Sequence, residues 1–170
     1  MEILEKEIFS FNESKLPGIS EVGGKGYSLI KMTSVGLNVP PGIVLTVQYF
    51  KTWIEEIKSS EEWKNFLSDR NDFEDKIQLV KNLVKNIGFT EKQKSLLSEH
   101  LKTFKNFHLF AIRSSSPEED LEGASFAGGY ETILGVTLET MESAIKSVFS
   151  SCLDNRVFKY KKEKGICFLP

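Results

Sequence analysis

Apolar residues recur along this chain with two different periods, and the places where the period changes mark out its elements. Near the N-terminus the run EIFSF reads as a short strand. GGKGYSLIKMTSVG then reads as a glycine-rich turn entering a short helix, with Leu29, Ile30 and Met32 facing inward and Gly36 ending it. A Pro-Pro-Gly turn leads into a buried strand, Ile43 to Leu45, and Thr46 stands where it can cap the next helix. From there the spacing becomes helical: Tyr49 or Phe50, Trp53, Ile54 and Ile57 share one face. Further helices are predicted over residues 60–68, 72–87 and 91–104. Phe73, Ile77, Val80, Val84 and Ile87 form one stripe, and Thr90 with Gln93 forms a capping box. Beyond this region the short period returns, predicting strands over 108–112 and 130–136 and a long helix over 138–160.

This order implies an α+β, or mixed α/β, layout in which a helical region at about 47–105 is inserted between strands. A chain of 170 residues has the length of one domain, or of part of one. Composition changes the picture little, since 40% hydrophobic and 27% charged residues are ordinary for a globular protein. Charge excludes more: a net −2 lacks the basic excess that a general nucleic-acid surface needs, although a local phosphate pocket stays open. Cys152 and Cys167 form no CxxC pair, which argues against a zinc site or a disulfide framework and for a reducing compartment. The start, MEILEKEIF, carries acids where a signal peptide has a basic region, and no run reaches membrane-spanning length. The expectation is a cytoplasmic protein bound to neither membrane nor nucleic acid.

Two segments are poor core material and candidate chemistry. In GGKG, Gly23 to Gly26, glycines permit close backbone approach, a helix start offers N–H groups and a positive dipole end, and Lys25 adds a mobile cation. The set suits a phosphate, and equally a flexible helix-start turn with a solvated lysine. It is not a P-loop: Gly26 follows the lysine where that pattern needs Ser or Thr for magnesium. In AIRSSSPEEDLEGASFAGGYETILGV, Arg113 ends a predicted strand, and its planar fork suits bidentate phosphate contact. Ser114 to Ser116 can bind phosphate or cap the turn, the Gly128-Gly129 pair can turn the chain beneath a ligand, and Thr132 offers a hydroxyl. The competing reading is a polar loop with an arginine ion pair.

Taken together, the two segments resemble the N-terminal ATP-binding domain of the phosphoenolpyruvate synthase and pyruvate phosphate dikinase family, which includes the rifampin phosphotransferases. The family's glycine-rich helix start and V-P-x-G turn are matched by GGKGYSLIKMTSVGLNVPPGIVLT, and its R-S-S block by RSSSPEEDLEGASFAGGYETILGV. The likeness runs from about Val22 to Tyr160. It implies the N-terminal part of an ATP-grasp-like domain, with Lys25 and Arg113 on the triphosphate, Thr132 and the Gly128 loop alongside, and Arg156 near the phosphates. Gly129 stands where the family favours glutamine, Gly135 where it favours asparagine, and Lys161 where it favours arginine.

The resemblance also implies parts this sequence does not contain: adenine contacts, the carboxylates that hold magnesium, and a mobile domain whose histidine carries the phosphoryl group. His100 and His108 lie in no such motif and read as structural or surface residues. No catalytic residue or metal ligand is therefore assigned within the chain. The expected function is the ATP-binding portion of a larger ATP-dependent phosphotransferase, with ATP and magnesium as cofactors and the remaining domains or subunits as partners, the 170 residues being inactive alone. The alternative is a stand-alone, non-catalytic nucleotide-binding or regulatory module derived from this fold. Trp53, Trp63, Phe66 and Phe73 are expected to pack helices rather than stack bases, and Cys152 to lie in the core.

Overall fold

A computed structural model describes residues 6–68, 72–116, 120–121, 124–125 and 131–164. Its elements run β1 (Ile8–Ser10), α1 (Ile19–Ser34), β2 (Ile43–Leu45), α2 (Lys51–Ser59), α3 (Glu61–Ser68), α4 (Phe73–Asn86) and α5 (Glu91–Leu101). There follow β3 (Phe110–Arg113), β4 (Asp120–Leu121), β5 (Ala124–Ser125), β6 (Thr132–Val136), α6 (Met141–Ser150) and α7 (Asn155–Lys164). The strands form three antiparallel pairs, β1 with β2, β3 with β6, and β4 with β5. This is the expected α+β composition, and the described strands pair only antiparallel.

Two compact units result. The first comprises Met1–Lys51, Thr90–Phe107 and Ser115–Phe126. In it Ile8, Phe9 and Ser10 pair with Leu45, Val44 and Ile43, and Phe9, Val22, Ile30 and Val44 form a core against which Phe11 and Tyr27 pack. Ile30 faces inward as the spacing predicts, whereas Met32 is exposed and of the β2 residues only Val44 is buried. Side chains alternate between the faces of a strand, so Val44 joins its partner Phe9 in the core while Ile43 and Leu45 lie on the opposite face, half-buried. Thr46 is buried and does not cap α2 directly. Its hydroxyl donates to the Lys6 carbonyl at 2.9 Å, and it opens a turn over 46–50, so that α2 starts only at Lys51.

The capping box of α5 is present: the Thr90 hydroxyl accepts from Gln93 N–H at 3.2 Å, and the Gln93 side-chain oxygen accepts from Thr90 N–H at 2.8 Å. Gln93 is buried because it does more than cap. Its amide donates to the Tyr49 carbonyl at 2.8 Å while the Tyr49 hydroxyl donates to the Gln93 carbonyl at 3.0 Å. A buried polar pair costs little when both partners are satisfied in this way.

The second unit comprises Thr52–Phe89, His108–Ser114 and Ala127–Pro170. Here the predicted stripe is the core: Ile77, Val80, Val84 and Ile87 are buried, with Ile145, Val148, Leu153 and Val157. Burying side chains of this size contributes roughly 1.5–3 kcal/mol each. The aromatics pack helices as expected. Phe66 stacks obliquely or edge-on against Trp63, Phe73 and Phe158, and Trp53 meets Phe89 and Phe149 edge-on while donating its indole N–H to the Gly88 carbonyl at 3.1 Å. The helix predicted over 138–160 is broken. Asp154 is extended (φ −71°, ψ 142°), and its carbonyl starts α7 by accepting from Val157 and Phe158 N–H. Its side chain meanwhile pairs with Lys81 of α4, a tertiary partner that no local pattern reveals. Cys152, in a short 3₁₀ turn at the break, is only half-buried.

Candidate functional site

The GGKG segment lies inside α1 rather than before it. Ile19 to Val22 make a first helical turn, opened by the Glu21 carboxylate accepting from Gly18 N–H at 2.7 Å. Gly23 then leaves the helix at φ 70°, ψ 169°, a conformation that only glycine adopts readily. The helix resumes at once with Gly24, Lys25 and Gly26.

Ser115 explains the interruption. In an unbroken helix the Val22 carbonyl accepts from Gly26 N–H. Here the Ser115 hydroxyl stands between them, accepting from Gly26 N–H at 2.8 Å and donating to the Val22 carbonyl at 2.7 Å. A side chain inserted into the helical ladder is a known cause of a kink. Alongside, Gly24 N–H reaches the Ser116 carbonyl at 3.4 Å. Two N–H groups that looked open for a phosphate are thus engaged by the chain itself, which corrects that part of the sequence reading. The glycines have a steric purpose too: a Cβ on Gly23 would stand 2.1 Å from the Ser115 carbonyl oxygen. Lys25, half-buried, follows this turn directly.

Arg113 and Thr132 meet on the other ribbon. Arg113 ends β3, Thr132 starts β6, and the two are direct cross-strand partners. Opposed residues of an antiparallel pair project from the same face, and both are exposed. Their register depends on an irregularity: Phe110 pairs with Val136, yet Ile112 pairs with Ile133, so one extra residue is taken up between them. Gly135, in that interval of β6, has φ 69°. A left-handed residue that absorbs a register shift is how a bulge is built.

Arg156 is placed elsewhere, in the first turn of α7, where it lines an open cleft of about 440 Å³ together with Glu74, Ile77, Gln78, Lys81, Asp154 and Asn155. Neither Arg113 nor Thr132 is part of that lining. Arg156 reaches Asp154 at 3.3 Å, and Lys81 pairs with the same carboxylate. Glu74, across the cleft, accepts from Lys159 at 3.0 Å and from the Asn155 amide, and these contacts hold its carboxyl below the usual range. Gly128 lies outside the described residues. His108 is exposed, and a ring nitrogen of His100 lies 2.9 Å from the Leu96 carbonyl of its own helix. Among the described residues no group of three or more His, Cys, Asp or Glu can hold a metal ion, and no helix is long and apolar enough to cross a membrane. Sequence reasoning treated Ser115 only as one of three serines. The three-residue spacing of Gly23 and Gly26 signals close approach by something, without saying by what.

Comparison with known proteins completes the description. Residues 19–168 match the family described as pyruvate phosphate dikinase, AMP/ATP-binding domain. An uncharacterized phosphotransferase, YvkC of Bacillus subtilis, is 34% identical over 142 residues, covering 83% of this chain and 16% of the relative. Phosphoenolpyruvate synthase of Escherichia coli is 28% identical over 169 residues, covering 91% of this chain and 21% of the relative. A rifampicin phosphotransferase of Bacillus subtilis is 25% identical over 165 residues, covering 93% and 19%. The chain thus spans about a fifth or less of the length of these relatives. By a match that takes in both the glycine-rich turn of α1 and the β3–β6 ribbon, this chain belongs to the pyruvate phosphate dikinase AMP/ATP-binding domain family.

Proposed function

We propose that this chain is the ATP-binding part of a phosphoenolpyruvate synthase- or dikinase-like phosphotransferase, folded as the N-terminal portion of an ATP-grasp-like domain. Lys25, Arg113, Gly128, Thr132 and Arg156 contact the ATP phosphates, and a histidine on another domain accepts the phosphoryl group that ATP supplies. The single observation that carries this reading is the cross-strand pairing of Arg113 with Thr132, within a chain of this family. It sets a planar cation and a hydroxyl side by side on one exposed face of a ribbon, a donor set suited to phosphate oxygens.

The chain's residues act by placement. Arg113, at a strand end, presents its guanidinium from a backbone tied down by the ladder, so no backbone freedom is lost on binding. Lys25 adds charge as a point cation. Arg156 has to release Asp154 or bridge to it. An ion pair whose arginine side chain is 55% exposed holds it by no more than about 1 kcal/mol, so reorientation is cheap. The described residues hold no cluster of three or more acids, histidines or cysteines suited to a metal ion.

Titration of the chain with ATP tests the reading. We expect weak, magnesium-sensitive binding that falls when Lys25 or Arg113 becomes alanine, and unchanged binding in both variants would remove those residues from the site. With the remaining domains supplied, transfer of the γ-phosphoryl group to a histidine separates the enzyme part from a binding-only module.

A further inference from the structure

We infer that Ser115 is a positioning residue for Lys25, acting through the shape of the α1 turn; this rests on the reading of Lys25 as a phosphate contact. The half-buried hydroxyl fills both of its capacities, donating to the Val22 carbonyl at 2.7 Å and accepting from Gly26 N–H at 2.8 Å. These two groups lie on either side of Lys25 in the chain and are natural partners of each other. Ser115 holds them apart and keeps Gly23 at φ 70°.

Removing the hydroxyl leaves a carbonyl and an N–H four residues apart, free to close the ordinary helical bond. Closure straightens α1 and turns the residues between them, Lys25 included, about the helix axis. The seat admits little else. A Cβ on Gly26 would lie 3.0 Å from Val44 Cγ2 and 3.3 Å from the Ser115 hydroxyl, and one on Gly23 would strike Ser115 itself. Gly23 and Gly26 accordingly serve the seating of Ser115, and phosphate recognition in this segment falls to the lysine side chain.

The test is a double-mutant cycle read with tripolyphosphate and ATP as probes on the full chain. Ser115→Ala is expected to weaken binding of both about fivefold, and to cause no further loss in a Lys25→Ala background, because residues acting through one another are non-additive. Ser115→Thr, which keeps the hydroxyl, restores affinity. The amides of Gly24 and Gly26, followed by hydrogen exchange, change in Ser115→Ala and not in Lys25→Ala. Additive losses, or wild-type binding by Ser115→Ala while Lys25→Ala is impaired, overturn the inference. Wild-type binding by Lys25→Ala instead overturns the underlying reading of the lysine, a distinguishable failure. Should Ser115→Ala not fold, Ser115→Cys, with its weaker donor and acceptor, is expected to show an intermediate loss, and wild-type affinity there overturns the inference equally.

Discussion

Of the glycines with left-handed backbone in the two segments that carry the family likeness, Gly23 in the first and Gly135 in the second are there for different reasons. At Gly23 the dihedral (φ 70°, ψ 169°) and the space both demand glycine, because the Ser115 backbone lies where a Cβ would be. At Gly135 only the dihedral does: φ is 69°, and nothing lies within 4 Å of an added Cβ. One glycine is a packing partner and the other is a hinge in a strand. The first position is therefore closed to every other residue, and the second is open to any residue that tolerates the left-handed region.

The sharpest way to break this contrast is Gly23→Ala. The substituent cannot be accommodated without moving backbone, so a loss of roughly 3 kcal/mol or more is expected, from overpacking together with strain. Chemical denaturation checks it, and a near-native midpoint would show that Ser115 is not held where the structure has it. Next come the cations that each glycine's segment serves. Lys25→Ala and Arg113→Ala should each cost about 1.5–3 kcal/mol of ATP binding, roughly 10- to 100-fold in Kd, measured by calorimetry.

Gly135→Ala is expected to cost only about 1–2 kcal/mol of stability, the penalty for a side chain in left-handed backbone. Gly135→Asn should cost clearly less, and equal losses for the two would mean that space, not dihedral, governs the site. The smallest effect concerns acid. Glu13 is pushed up by burial but held lower overall by hydrogen bonds from Lys6 and the Ser10 N–H and by the charges of Lys6 and His100. A carboxyl held below its unfolded value contributes stability that is present above about pH 4 and lost as pH falls through its folded value. Glu13→Gln should therefore lower stability slightly at neutral pH and leave it almost unchanged at pH values below the carboxyl's folded value, flattening the acid side of the stability–pH curve, as thermal unfolding across that range would show.

Much of the architecture was legible because it follows from local rules. The stripe from Ile77 to Ile87, the Thr90–Gln93 box and the aromatic packing of Trp53 and Phe66 need only helical periodicity and capping chemistry, which act over a few residues. The failures share one cause, a partner distant in sequence. Lys81 takes the Asp154 side chain where a long helix was predicted to run on, and the Lys6 carbonyl, just ahead of β1, takes the Thr46 hydroxyl 40 residues away. The candidate residues were chosen one by one from the linear chain, which does not contain their grouping. That Arg113 faces Thr132, while Arg156 shares Asp154 with Lys81, depends on strand register and helix placement.

By itself, the sequence determined the helices, the α4 stripe at the core of the second unit and the family, since hydrophobic period and two glycine-marked blocks are properties of the linear chain. Only the tertiary structure decided what GGKG is. Read alone it suits an anion at an open helix start and, equally, a flexible turn with a solvated lysine. Folded, its N–H groups at Gly24 and Gly26 are taken by Ser116 and Ser115, some 90 residues on. A hydrogen bond between such distant residues forms only when the fold supplies the second partner, and no local pattern encodes that.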